Sequence, residues 1–567
     1  MMVLHALCGA FLLACAKLYW IMENKYLDYF ATLLAPARDR HFRVVGTALG
    51  VLGAAHGLVF LNHLGASVYA GRLTVRPVNF GSDAYGRVFA ARKTVEIATQ
   101  IPNAYLYSTL IARPWINHVK VALLVTNCWS AFIIHRMLIK SESVDKRVAP
   151  SISSTSHQSV RFLAVVVDTF LSVATGILLP GAIIIPYMLV FDFKNLDFPD
   201  SLLYGDTSFA NLILENRAFF AISWGNAVMK GVPHLSAFLC LMALASMLDS
   251  RLVRFVHRVV APSIFLVTGI TMLTLHLVAQ FAPITGEMEV IRSFCLQRMH
   301  PWLAPNVSCA VIKYNCYREG VASPPVTALD LLERESVRSL MFLHCSELII
   351  PPIIQEFSSL MGIELWNTTL VRWGEEAALS AQFHPRMIYM IFSFVNMTSL
   401  PVGILRPPLP EQLIDLEFIH TNLTTLPDEV GEAWINVQLV YMEHSQLNQF
   451  PTVLMTLPVL AELSLIDNRF ETMPDDVLLT AASTYFYDLA FSKTPLRKLP
   501  EARSEDFYIS YLALEYSQVT EIPAWIETNV WESVAVVLCG ENDDTWDPLG
   551  EERYPTQYIE PSRSLDS

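Results

Sequence analysis

Charge is what this chain has little of. Asp, Glu, Lys and Arg make up 16% of its 567 residues against 53% hydrophobic, and the mean hydropathy is +0.39. So little charge cannot cover a water-soluble surface along the whole chain, which excludes an ordinary soluble globular protein. Motifs for chemistry are missing too. There is no H-E-x-x-H, G-x-S-x-G or Walker loop, and no kinase H-R-D and D-F-G pair, which removes the common hydrolase, nucleotide-hydrolysing and kinase readings. Paired C-x-x-C spacing is absent, against a four-cysteine zinc site. No enzymatic activity, cofactor, metal site or nucleic-acid partner is expected.

The charge that is present is divided. Residues 1–283 hold 23 Lys and Arg against 14 Asp and Glu, and the remainder 16 against 39. A basic half and an acidic half imply two domains in two environments. In the basic half, hydrophobic runs near or above the ~20 residues of a bilayer span lie at about 3–22, 44–64, 119–139, 160–191, 218–248 and 259–282. The first has two readings, an uncleaved segment or a signal peptide ending at Ala14-Cys15-Ala16.

Loop charge sets the expected orientation. Arg251, Arg254 and Arg258 precede the last run, and Lys140, Lys146 and Arg147 follow the third, so both loops read as cytoplasmic. The loop 192–217, with Asp192, Asp197, Asp200, Asp206 and Glu215, suits the other side, and alternation carries everything after the last run outside the cytosol. The loop 65–118 opposes this with Arg72, Arg76, Arg87, Arg92, Lys93 and Arg113. Part of it, 88–112, reads as an interfacial amphipathic helix with Lys93 and Glu96 on its polar side. A cleaved signal peptide would instead place the acidic half in the cytosol.

From Val337 to Asn542 apolar residues recur every 23 to 27 residues. One cycle reads Leu413, Leu416, Phe418, Thr421, Leu423, Leu426-Pro427, and the next Val437, Val440, Met442, Ser445, Leu447, Phe450-Pro451. The frame LxxLxLxx(N/T/S)xLxxLP also fits cycles starting at Val337, Leu360, Met387, Leu460, Phe486 and Ile509, eight in all, with a degenerate last turn at 534–542. Positions 1, 4, 6 and 11 point inward from a short parallel strand and its return, so no cycle buries its own apolar side alone. Position 9 is Asn only at Asn468. Thr or Ser replaces it elsewhere, except at Cys345 and Val395, so the first and third cycles are expected to be less regular. The spacing resembles the leucine-rich repeat superfamily. The whole arrangement, with Ile116-Asn117-His118 leading into Leu123-Leu124-Val125-Thr126-Asn127-Cys128-Trp129-Ser130, resembles multi-pass leucine-rich membrane families of oomycetes. That resemblance implies surface or membrane placement and fixes no activity.

The expected fold class is an α-helical multi-pass membrane domain (1–283), a cysteine-containing linker and cap (284–336), an α/β leucine-rich repeat solenoid or horseshoe (337–542) and a polar acidic tail (543–567). Cys295, Cys309, Cys316 and Cys345 flank the array's start as two disulfides of a cap would, with three connectivities open and Cys539 left over. All four N-x-[ST] sequons, Asn306, Asn367, Asn396 and Asn422, follow the last run and are glycosylation candidates. Asp168 and Lys230 stand inside runs and are expected to form one intramembrane pair, or to line a polar path. Outward strand positions supply a candidate ligand face: Tyr389, Phe394, Glu417, His420, Tyr441, Glu443, His444, Asp488, Tyr511, Glu515 and Tyr516. Aromatics beside carboxylates suit a protein, peptide or cationic ligand. The expected function is a plasma-membrane or endomembrane protein in the lipid bilayer, with extracellular or lumenal repeats binding protein or peptide ligands in a receptor, co-receptor or adhesion role. It would signal through partner membrane proteins. The alternative is a channel or transporter regulated or assembled by its repeats.

Overall fold

The computed structural model describes residues 2–24, 27–35, 40–68, 85–145, 166–194, 196–247, 260–282, 286–521 and 523–529. The expected degenerate turn at 534–542, the tail, Cys539 and the loop residues Arg72, Arg76, Lys146, Arg147, Arg251, Arg254 and Arg258 lie outside them. The chain divides into two compact units, one of residues 1–199, 211–283 and 299–304, the other of residues 200–210, 284–298 and 305–567.

The first unit is helical: α1 Met2–Ile21, α2 Asp28–Leu34, α3 Phe42–Val68, α4 Tyr85–Leu110, α5 Pro114–Asp145, α6 Val166–Val190, α7 Asp206–Phe219, α8 Trp224–Met247 and α9 Val260–Phe281. The first turn of α7 belongs to the second unit. Among the described residues five helices are long and apolar enough to cross a membrane, at Met2–Ile21, Phe42–Gly65, Pro114–Ile133, Val166–Val190 and Ser263–Phe281. The expected run at 218–248 became α8, which carries Lys230 and holds Pro233 inside it, and is not among them. Helices α1 and α3 approach at Gly9 and Gly53, where a Cβ on either would stand 3.2 Å from the other's carbonyl oxygen; small residues let such backbones close. Much apolar surface faces outward, including Leu189 (79% exposed), Leu58 (69%) and Phe281 (74%). Helix α4 is not the interfacial helix expected, because Lys93 and Glu96 turn inward and are buried.

The second unit is one sheet. Strand β1 Cys295–Arg298 runs antiparallel to β2 Cys309–Asn315. Parallel strands follow: β3 Ser339–Leu343, β5 Gly362–Arg372, β6 Tyr389–Asn396, β7 Asp415–Ile419, β8 Leu439–Glu443, β9 Glu462–Ser464, β10 Tyr485–Ala490 and β11 Tyr508–Ala513, with short β4 Leu348–Ile349 beside β5. The array therefore begins earlier than Val337, because β2 pairs in parallel with β3. Its cap carries two disulfides, Cys295–Cys309 and Cys316–Cys345, one of the three connectivities the sequence leaves open. The repeat prolines start short turns such as Pro352–Glu356, Val402–Ile404 and Thr452–Thr456, because a fixed φ without an N–H suits a return segment and not a strand. These turns are 3-10, so the expected α component is confined to single turns such as Val430–Ala433.

The core is built from the positions the pattern marks. Phe392 and Phe418 stack at 4.7 Å, and Phe418 and Trp434 at 5.8 Å. Each of the eight cycles turns at the same place, since position 8 has positive φ in His344, Asn367, Phe394, His420, His444, Asp467, Lys493 and Tyr516. That conformation costs an L-residue about 1 kcal/mol or more; recurrence marks it as the corner ending the strand. The first and third cycles keep it, contrary to the expected irregularity. Cys345 is bridged to Cys316. Beside Val395, β5 and β6 pair beyond the corner, Thr368 with Val395 and Thr369 with Asn396, so backbone pairing supplies what a position-9 amide would.

Asn468 shows that amide's work: Nδ2 donates to the carbonyls of Met442 (2.6 Å) and Leu465 (3.0 Å), while Oδ1 accepts from Leu447 N (3.1 Å). Asn468→Ala leaves these buried groups unmatched and is expected to destabilise the repeat unit by about 2 kcal/mol; a denaturant titration checks it, Asn468→Ser losing less.

Candidate functional site

Parallel register lines the concave face up in rows. One row, at position 5, runs Lys313, Met341, Glu364, Ile391, Glu417, Tyr441, Ser464, Ala490, Ala513. The row at position 3 contains Gly362, Tyr389, Asp415, Glu462, Asp488 and Tyr511. Adjacent strands stand ~4.8 Å apart, so side chains in a row touch across repeats.

The face is more buried than its sequence suggests. Of the expected ligand residues, Tyr389, Glu417, Tyr441, Glu443 and Glu515 are buried, Phe394, His420, His444, Asp488 and Tyr511 are half-buried, and Tyr516 is exposed. Cross-row bonds account for part of this. Tyr441 donates its hydroxyl to Glu462 (2.8 Å) and Ser464 to Glu443 (2.6 Å), while Ser492 bonds Glu515. Position 8 forms a ladder at the strand ends: Phe394 stacks on His420 at 4.2 Å, His420 on His444 at 4.4 Å, and His444 Nδ1 lies 2.8 Å from Asp467. No cluster of three metal-ligating side chains occurs among the described residues.

Around Lys313, Tyr389 and Glu417 the face is also covered by the chain's own Asp200–Ala210 segment, which packs within this unit. Asp206 pairs with Lys313 at 3.2 Å, Tyr204 donates to Glu417 at 3.2 Å, and the Phe209 ring meets Tyr389 edge-on at 5.4 Å. Tyr389 in turn lies on Gly362, where any Cβ would collide with its ring, and donates to Glu364 at 3.1 Å. Nothing in the sequence pattern linked an acidic interhelical loop to this face. Around it, burial and then the Asp206 charge push the Glu364 carboxyl up to about 7, against bonds from Trp366 Nε1 (2.9 Å) and Tyr389 that favour its ionised form. Burial followed by Glu515 and Asp488 pushes Tyr511 up to about 12.

On the face, Glu443 Oε2 and Glu515 Oε1 are buried without a hydrogen-bond donor. Both stand at position 7, Glu443 one cycle and Glu515 four cycles beyond Glu417, the last of the segment's contacts. Of the sequon asparagines, Asn306 and Asn396 are exposed, whereas Asn367 lies 3.1 Å from His344 Nδ1 and Asn422 donates to Asn396 at 2.8 Å.

In the helical unit, Asp168 and Lys230 do not pair with each other. Asp168 on α6 meets Arg92 and Lys93 of α4, and Lys230 donates to the carbonyls of Arg217 and Phe220. The Asp168 cluster closes through Glu96, which accepts from Ser236 (2.8 Å), Asn127 (3.1 Å) and Ser172 (3.2 Å). Two cations and two carboxylates thus balance inside a buried network, and the Lys93 and Glu96 side of α4 faces that network.

No protein-family model matches the chain. Over 168 residues it is 26% identical to lumican from Gallus gallus and from Coturnix japonica, covering 29% of this chain and 44% of each lumican; it thus spans less than half the length of these curated relatives. Among solved structures it is similar to Toll in the Toll–Spatzle complex of Drosophila, with 17% identity, TM-score 0.28 and coverage of 37% of this chain and 27% of that one. The leucine-rich repeat domain of the type III effector XopL gives 15% identity, TM-score 0.30 and coverage of 40% and 75%.

The raised Glu364 carboxyl has a stability consequence. Between its ordinary 4.5 and about 7 the folded state holds a proton that the unfolded chain has released, so stability falls as pH rises through that window, then levels. Glu364→Gln is expected to abolish this slope, gaining up to about 3 kcal/mol over the parent at pH 8 and little at pH 4.5; denaturant midpoints at the two pH values check it.

Proposed function

We propose that this chain is a multi-pass membrane protein whose leucine-rich repeats, on the extracellular or lumenal side, bind a protein or peptide ligand through the concave face. Membrane placement is supported by five apolar helices whose outward side chains would leave large apolar areas against water. The lumenal or outer side is supported by two cap disulfides, which persist in oxidising compartments. The arrangement fits the oomycete-type multi-pass repeat proteins, and a role as receptor, co-receptor or adhesion protein follows, acting through partner membrane proteins and without catalysis.

The observation that carries the binding reading is the pair of donorless buried oxygens of Glu443 and Glu515. A buried carboxylate lacking donors costs free energy that an incoming ammonium, guanidinium or amide recovers. Since Asp200–Ala210 covers the face around Lys313, Tyr389 and Glu417, the ligand's contacts fall on cycles five to eight, with Tyr441, Glu443, Asp488, Tyr511, Glu515 and Tyr516. The partner is a basic segment carrying apolar or aromatic side chains.

Glu443→Gln with Glu515→Gln is expected to weaken capture of such a segment at least tenfold, or ~1.4 kcal/mol, measured with lysine- and arginine-rich peptides on cells displaying the chain. Equal capture by both proteins, or preference for acidic peptides, rejects the reading. An endoglycosidase mobility shift that disappears when Asn306, Asn367, Asn396 and Asn422 become Gln tests the side of the membrane; an unshifted parent favours cytosolic repeats and a channel or transporter.

A further inference from the structure

The helical unit holds a cavity of about 260 Å³, larger than the ~150 Å³ engineered cavity that admits benzene. Its walls are mostly apolar, from Phe11, Ala48, Pro180, Phe219 and Val228. Two lysines also line it, Lys120 and Lys230. The geometry points to a binding site for a small organic anion, a carboxylate on a compact apolar body, held between these two ammonium groups.

Charge accounting carries the assignment. Elsewhere in this unit Arg92 and Lys93 meet Asp168 and Glu96, the part-exposed Arg113 meets the buried Glu215 at 3.1 Å, and the buried Arg217 donates to the Leu33 carbonyl. Lys120 and Lys230 have only neutral acceptors. Lys120 Nζ donates to Gln100 Oε1 at 2.8 Å and stands 4.9 Å from the Tyr107 ring centre, and Lys230 Nζ donates to Arg217 O at 3.1 Å and to Phe220 O. Among the described residues no carboxylate lines the cavity. Buried charge without a counter-ion is costly, and an anion between the lysines removes that cost.

Two further observations fall at the same place. Asn103 lines the cavity, is 5% exposed, and its Oδ1 has no hydrogen-bond partner; it can accept from a hydroxyl on the ligand. One wall is the widened π turn Ala174–Leu178 of α6, whose Thr175 and Gly176 line the space, and such turns recur at functional sites. Against it, Pro233 and His234 of α8 pack on Gly176, where a Cβ would stand 3.2 Å from His234 Nδ1.

The test is equilibrium binding of benzoate to the full chain in lipid nanodiscs, with neutral benzamide as the isosteric control. Benzoate is expected to bind more tightly than benzamide, and Lys230→Met or Lys120→Met to weaken benzoate at least tenfold while leaving benzamide unchanged. Lys230→Arg, which keeps the charge, is expected to retain benzoate, and Lys120→Met keeps the test valid should the Lys230→Met protein not fold. Octanoate carried in the bilayer distinguishes the source: competition with benzoate indicates amphiphiles entering from lipid, and absence of competition indicates anions entering from water, either result sustaining the site. Equal binding of benzoate and benzamide, benzoate binding untouched by both lysine variants, or no benzoate binding by the parent overturns it.

Discussion

A single cycle of some two dozen residues has one apolar edge and no partner of its own to bury it against, and the second unit is the consequence of that constraint. Every strand needs the next, so the corner that ends each strand has to recur at a fixed place. It does so at position 8, through the left-handed backbone of His344, Asn367, Phe394, His420, His444, Asp467, Lys493 and Tyr516. Only some of these are residue types that tolerate that conformation well. Phe394, which is not such a type, stacks on His420, and His420 stacks on His444. Once the corner is fixed, register follows, and register sets which side chains share a row of the concave face.

The helical unit answers the opposite problem, that of keeping charge where water is absent. One solution is neutralisation inside a network, as Arg92, Lys93, Glu96 and Asp168 achieve with Asn127, Ser172 and Ser236 around them. A second is to place an ammonium against backbone carbonyls, as Lys230 does at Arg217 and Phe220, at the C-terminal end of α7, where the helix dipole favours a cation. The first leaves no charge over, whereas the second leaves a positive potential beside a cavity. Those two solutions separate a structural polar cluster from a candidate site.

On the concave face, similar-looking acidic residues come to different ends. Glu364 is enclosed by Trp366, Tyr389 and the chain's own Asp200–Ala210 segment, and Glu417 accepts from Tyr204. Glu443 and Glu515 each accept one serine hydroxyl and keep an oxygen without a donor. The difference lies in what covers each carboxylate, a property of the third dimension, and it concentrates the open chemistry in the later cycles.

The sequence by itself determined the repeat array, its eight cycles and the sets of inward positions, because a period of 23 to 27 residues with fixed apolar offsets constrains how the cycles stack. It also marked the apolar helices, since span length and charge content are local properties, and it singled out the four cap cysteines while leaving their pairing open. Only the tertiary structure decided the partners of Asp168 and Lys230, the inward turn of Lys93 and Glu96, the pairing of Cys295 with Cys309 and Cys316 with Cys345, and the covering of Tyr389 and Glu417 by Asp200–Ala210. Each of these depends on which of several compatible groups arrives within about 3 Å in a low-dielectric interior, and residues far apart in the chain leave no periodicity from which that meeting could be read.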